Sequence, residues 1–308
     1  WAVSGRKTNS GNPILCNDPH LSFSLPSIWF AQQLKGPDMN TFGVTIPGLP
    51  GVLLGFNDSL AWGLTNAPRD VRDWYQITFR DKERDDYLYE GKWLKTQKRI
   101  EKISIRGQEA FSDTVIYTHY GPVVYDRHFM GDSSRVNFAL RWTAHNPSLE
   151  VLTVYYMNRA DNLLEMEDAL QYFECPPQNV AVATRSGDVA IFVEGKFPLK
   201  WNEQGKFLMD GSNPEYEWRG YIPDDHDARV INPDRGFISS ANQHPFTSDY
   251  PYYYHNNTEE FFRNRRINNR LSDMNNITID DMKDLQLDSY HLLAAEALVD
   301  LLELDQRL

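Results

Sequence analysis

Four polar side chains in this sequence could move a proton or steady a developing negative charge: His20, Asn66, Asn242 and Arg263. His20 closes the turn-forming run Asn17-Asp18-Pro19-His20, where a neutral imidazole can donate or accept one hydrogen bond. Asn242, in Ser239-Ser240-Ala241-Asn242-Gln243-His244-Pro245, carries an uncharged NH2 donor of the kind that suits an oxyanion. Asn66 ends Trp62-Gly63-Leu64-Thr65-Asn66-Ala67, just ahead of Pro68. Arg263 belongs to Phe261-Phe262-Arg263-Asn264-Arg265-Arg266, where three arginines fall within four residues. Each has a plainer reading as well: a surface histidine after a proline turn, two turn asparagines and one solvated helix face. A glycosidase would instead need two carboxylates facing across a cleft, and among 43 acidic residues no pair stands out.

The elements that must position these residues are strands first and helices later. Thr41 to Pro47 and Gly51 to Phe56 are β-rich runs on either side of Pro-Gly-Leu-Pro-Gly, a turn signal. Asp73 to Phe79, Lys98 to Ile105, Thr114 to Thr118 and Val136 to Trp142 read as further strands. Val180 to Thr184 and Val189 to Val193 flank Ser186-Gly187-Asp188 and predict a hairpin. Helical periodicity marks Ser148 to Met157 and Asn162 to Phe173, and from Glu259 onward the chain turns helical. Thr278 is placed as an N-cap for Asp280 to Gln286, and a last helix runs from His291 to Leu304. Strands, two helices, more strands and then helices predict an α+β layered domain rather than a repeating βαβ chain.

The opening run, Trp1-Ala2-Val3-Ser4-Gly5-Arg6-Lys7-Thr8 through Asn17-Asp18-Pro19-His20-Leu21, resembles the penicillin acylase family of N-terminal nucleophile hydrolases, which cut amide bonds. The resemblance is strongest over Trp1 to Asp73. It is clear again from Val180 to Pro198 and from Gly236 to Pro245, and thin from Arg80 to Leu140. In that family the nucleophile is a serine about three residues before this tryptophan, in Ser-Asn-x-Trp, and it becomes a chain start when a precursor cleaves itself. Its hydroxyl attacks and its freed α-amine, with a reference pKa of about 7.7–8.0, takes the proton. The resemblance therefore implies a four-layer αββα sandwich of the N-terminal nucleophile type and hydrolysis of an N-acyl amide.

Roles for individual residues follow from the same resemblance. His20 matches the position beside the nucleophile, where it would help orient the serine. Asn66 matches an oxyanion donor through its backbone N–H, and Asn242 matches the second donor through its side-chain amide. Arg263 matches a cation near the nucleophile's amino end, which would depress the α-amine pKa. Asp70-Val71-Arg72-Asp73 resembles a calcium-binding turn, with Asp70 and Asp73 as carboxylates, the Arg72 carbonyl between them and a Pro198 carbonyl added. Calcium takes about six to eight oxygens, so these form part of a site, and Tyr254 stands where a later aspartate would be. One structural calcium and no organic cofactor are thus expected. Leu21, Leu53, Leu54 and Leu64 match acyl-pocket positions and point to an apolar acyl group, although leucines on strands are equally core residues.

Composition narrows the partners. The 308 residues are 41% hydrophobic, ample for a large core, and the net charge of −12 argues against a nucleic-acid surface. No apolar stretch reaches the length of a membrane span. Cys16 and Cys175 have no metal-type spacing and are either two free thiols, the preferred reading, or one long-range disulfide. The sequence opens on Trp without Met, and Ala297-Leu298-Val299-Asp300-Leu301-Leu302-Glu303-Leu304 runs to within four residues of the end without a turn signal. The expectation is a fragment, residues 1–308, of an acylase's larger (β) chain, inactive by itself without its serine. Its expected partners are a smaller N-terminal chain from the same precursor and a small acyl amide, in the periplasm or outside the cell. The competing reading is a non-catalytic binding protein on the same scaffold.

Overall fold

The computed structural model describes residues 1–19, 21–125, 137–247, 249–254 and 261–305. The fold is mixed α/β, with several sheets and, among the described residues, five α-helices. The largest sheet has seven strands, all paired antiparallel, in the order Arg229–Ile231, Val189–Glu194, Gln178–Thr184, Leu60–Asn66, Leu54–Phe56, Met39–Thr45 and Phe30–Gly36. A three-stranded sheet places Ala2–Val3 between Phe237–Ile238 and Ile14–Leu15. Six further strands, including Arg72–Gln76 and Phe138–Trp142, form a third sheet, and Asp86–Tyr89 pairs with Lys92–Lys95.

Side-chain alternation along the central strands decides what covers each face. Val180, Val182, Ala190 and Phe192 join Leu60, Trp62 and Leu64 in a core with Met157, Met166, Ala169 and Leu170. The last four belong to or adjoin the helices Glu150–Met157 and Leu163–Leu170, so these helices lie on that face. The residues in between, Ala181, Ala183, Val189 and Ile191, pack with Ala2, Leu15 and Ile238. Small alanines there let the three-stranded sheet approach closely. On the far side of that sheet, Val3 and Phe237 pack with Leu271, Ile277, Met282 and Leu285, from the helices Phe262–Asp273 and Ile279–Gln286 and the turn joining them.

The predicted hairpin and all four helical segments with readable ends are present, with shifted boundaries. Only Leu54–Phe56 of the run Gly51 to Phe56 is strand. Upstream, the buried amide of Asn158 takes over the backbone pairing of Val52: Val52 N–H donates to Asn158 Oδ1 (2.8 Å), and Asn158 Nδ2 donates to Val52 O (2.7 Å). Cys16 and Cys175 are both free. Thr278 caps the helix Ile279–Gln286 in a reciprocal capping box with Asp281. Thr278→Ala should therefore lower unfolding stability by about 1 kcal/mol. Urea melts of the two proteins check this, and an unchanged midpoint would show that the cap contributes nothing.

Candidate active site

The strands Leu60–Asn66 and Gln178–Thr184 run antiparallel and end together, with Gln178 opposite Asn66 and Asn179 opposite Thr65. Residues 239–247, leaving the strand Phe237–Ile238, cross this end. Three polar side chains from the three segments meet there. Thr65 Oγ1 and Ser240 Oγ are 2.6 Å apart, and buried Asn179 Nδ2 donates to Thr65 Oγ1 (3.1 Å), Ser240 Oγ (3.2 Å) and the Asn66 carbonyl (3.0 Å). The network fixes Asn66's peptide against Ser240, two residues before Asn242.

Asn242 then reaches Asn66 directly. Its Nδ2 donates to the Asn66 carbonyl at 2.9 Å, joining residues 176 apart in the chain. Arg263, in the first turn of the helix Phe262–Asp273, sets which way that amide faces. Its Nη2 donates to Asn242 Oδ1 (2.9 Å) and to Ala241 O (3.1 Å). A guanidinium on Oδ1 leaves the NH2 end directed at Asn66, and it polarises the amide so that its N–H groups are stronger donors. An amide nitrogen has two hydrogens, so one can hold the Asn66 carbonyl while the other serves an incoming oxyanion. Asn242 has φ +65°, a left-handed conformation that asparagine tolerates better than most residues.

Of the four catalytic candidates, the structure brings together Asn66, Asn242 and Arg263. His20 lies outside the described residues, but the turn that leads to it is tied to the same place. Asn17 Nδ2 donates to Leu64 O (3.0 Å), and a Cβ on Gly63 would come within 2.6 Å of Asn17 Cβ, so glycine is needed for that approach. The Trp1 main-chain nitrogen donates to Cys16 O (3.1 Å). The pKa of His244, two residues past Asn242, is held below the ordinary histidine value, mainly by burial.

Three of the four leucines share one core, and the fourth lies outside it. Leu54 and Leu64 are buried in the core under the helices, Leu53 packs at its edge and Leu21 is 47% exposed. Leu54 and Leu64 point towards the helix-covered face, while Thr65, between Leu64 and Asn66, points towards Ser240. Asp70 and Asp73 lie just past the site and both pair with Lys200. Arg72 is exposed on the strand Arg72–Gln76, and Pro198 forms an isolated bridge with Tyr221. Sequence reasoning missed Thr65, Asn179 and Ser240. Their only signal is polarity, within apolar strands for Thr65 and Asn179 and just past one for Ser240, which becomes legible once the pairing of residues 114 apart is known.

The family model described as penicillin amidase matches residues 1–308, the whole chain. The chain belongs to the penicillin amidase family. This family member is 29% identical over 258 residues to an acyl-homoserine lactone acylase QuiP of Pseudomonas aeruginosa, covering 79% of this chain and 30% of that protein. It is 27% identical over 290 residues to a penicillin acylase 2 proenzyme of Pseudomonas sp., covering 94% and 37%. The chain thus spans about a third of these relatives' lengths. Among solved structures, a thermostable penicillin G acylase from Alcaligenes faecalis superposes with a TM-score of 0.78 at 21% identity, over 92% of this chain and 51% of that one. That superposition shows the shared fold. Both of these curated relatives are named as acylases.

Proposed function

We propose that this chain is the catalytic part of an acylase that hydrolyses N-acyl amides, with a serine three positions before its first tryptophan as nucleophile. The observation that carries the reading is the Asn242–Asn66 contact, with Arg263 orienting the amide: two donor segments far apart in sequence converge on one point. Strand register supports the place of the serine. Ala2 faces Ile238 on one side and Leu15 on the other, so each step upstream of Trp1 moves one residue past Ser239 and one past Cys16. The third step reaches Asn242 and Pro19, beside His20. A serine there would lie next to its oxyanion donor and beside the turn that leads to His20.

In this mechanism the serine hydroxyl adds to the amide carbon while the chain's own α-amine accepts its proton. Asn66 N–H and Asn242 Nδ2 hold the oxyanion, and the proton passes to the departing amine. Water then releases the acyl group. A four-layer αββα sandwich is the architecture consistent with the three successive cores, which alternate helix, sheet, sheet and helix. The smaller chain of the same precursor would cover the apolar side chains left open on this one, among them Phe23, Leu25, Phe30 and Phe42, all at least 47% exposed. Localisation in the periplasm or outside the cell belongs to the same reading, and no described helix is long and apolar enough to cross a membrane.

The intact mass of the protein expressed from its complete gene tests this first. Two chains are expected, the larger beginning with serine three positions before Trp1. A single uncut chain, or a cut elsewhere, would move the reading to a binding protein on the same scaffold. With two chains in hand, the substrate panel is acyl-homoserine lactones and penicillins, after which the relatives are named, together with simple N-acyl amides.

A further inference from the structure

Between the two carboxylates expected to bind calcium stands a lysine. Lys200 Nζ is 2.8 Å from Asp70 Oδ2 and 2.8 Å from Asp73 Oδ2, with its side chain only 3% exposed and that of Asp73 fully buried. Trp218 Nε1 donates to the same Asp73 Oδ2 at 2.5 Å, and the ammonium sits 5.5 Å from the centre of the Trp218 ring. On that ring also lies Arg141, its guanidinium 4.6 Å from the centre, and Arg141 is Asp73's cross-strand partner. One buried ammonium therefore serves two carboxylates, one fully buried and one largely so, and Arg141 adds a second positive charge across the Trp218 ring.

The segment that delivers Lys200 is built into the fold. Leu199 exchanges backbone hydrogen bonds with Arg219 and Gly220, while fully buried Gln204 accepts from Trp201 N–H (3.0 Å) and donates to Tyr216 O (2.7 Å). Gly205 closes the cradle. A Cβ there would lie 2.5 Å from Asp70 Oδ2, 2.6 Å from Asp73 Oδ1 and 3.1 Å from Lys200 Nζ, so only glycine lets the loop lie so close.

Calcium does not fit this donor set. It needs about six to eight oxygens at roughly 2.3–2.6 Å, whereas an ammonium offers three donors and no acceptor, so Lys200 competes with the ion rather than ligating it. Among the described residues no group of three or more His, Cys, Asp or Glu is placed to hold a metal. Tyr254, at the position of the further carboxylate, has the Arg69 guanidinium 4.5 Å from its ring centre.

We propose that Lys200 is the resident cation of this site, an internal replacement for calcium that holds the Asp70–Asp73 turn in place. The test uses the full protein, purified without chelator. Elemental analysis should find far less than one calcium per molecule, and the melting temperature should not move with EGTA or with added calcium. One tightly held calcium per molecule, or a fall with EGTA, overturns the proposal. Lys200→Met should melt roughly 5–10 °C lower, because it strands two buried carboxylates. Adding Asp70→Asn and Asp73→Asn to that variant should recover a large part of the loss, and the triple variant should fold even where Lys200→Met does not. A Lys200→Met protein as stable as the parent, or a triple variant no better than the single one, would show that the lysine is not acting as a counter-charge.

Discussion

Replacing Asn242 by alanine in the processed enzyme should lower kcat by about 10²–10³, a loss of about 2.7–4 kcal/mol in transition-state stabilisation, with KM nearly unchanged. The asymmetry follows from where the charge appears. The ground-state carbonyl asks little of a second donor, while the tetrahedral oxyanion asks for both Asn66 N–H and Asn242 Nδ2. Alanine has a second effect, since φ is +65° at this position and a Cβ without asparagine's local hydrogen bonding is strained there. Asn242→Gly separates the two effects. Glycine accepts the backbone angle but offers no amide, so it should lose as much kcat as alanine while melting closer to the parent. Asn242→Asp should be worse than either in rate, because its carboxylate would face both the Asn66 carbonyl and the oxyanion. Steady-state kinetics on any accepted N-acyl amide decide the matter. A glycine variant within a few-fold of the parent in kcat would remove Asn242 from the oxyanion site.

The cluster that makes this prediction was half legible in the sequence. The strand and helix pattern came through where periodicity is strong, as in Gln178–Thr184 with Val189–Glu194, or where a cap announces itself, as at Thr278. It blurred where a side chain does the work of a backbone partner, as Asn158 does for Val52. Single segments also showed which residues could donate hydrogen bonds, but not what would hold them still. Arg263 illustrates the limit. The resemblance gives it a place near the nucleophile's amine, and it also donates to Asn242 Oδ1 and Ala241 O, so its charge reaches the donor amide. Which of three neighbouring arginines does this depends on helix phase. Arg265 and Arg266 turn instead to Glu296 and Asp288. Thr65, Asn179 and Ser240 were silent because each is an ordinary polar residue until three segments are brought together. Lys200 was silent for a different reason: a lysine near a proline reads as surface, and only tertiary burial makes it a counter-ion.

The second large effect lies along the same row of the sheet. Asn66 faces Gln178, and Gln178 faces Glu194 on the next strand, so Glu194 shares the end of the sheet at which the site is built. Burial pushes its carboxyl up from 4.5 to about 7, with Asp224 and Glu167 adding to the rise and Arg229 opposing it. The folded protein therefore keeps a proton on Glu194 that the unfolded chain has already released between pH 4.5 and 7. Folding stability should fall across that window as pH rises, by about 3 kcal/mol in all at roughly 1.36 kcal/mol per pH unit, and then level off above it. Glu194→Gln carries no proton to lose. Its stability should not decline through this window on that account, so by pH 8 it should exceed the parent by up to about 3 kcal/mol, less whatever the amide forfeits in packing. Urea unfolding of both proteins at pH 5 and pH 8 measures the difference. Equal losses in the two proteins would mean that Glu194 ionises in the fold as it does in water. Its burial at the end of the Asn66 row would then have no energetic consequence.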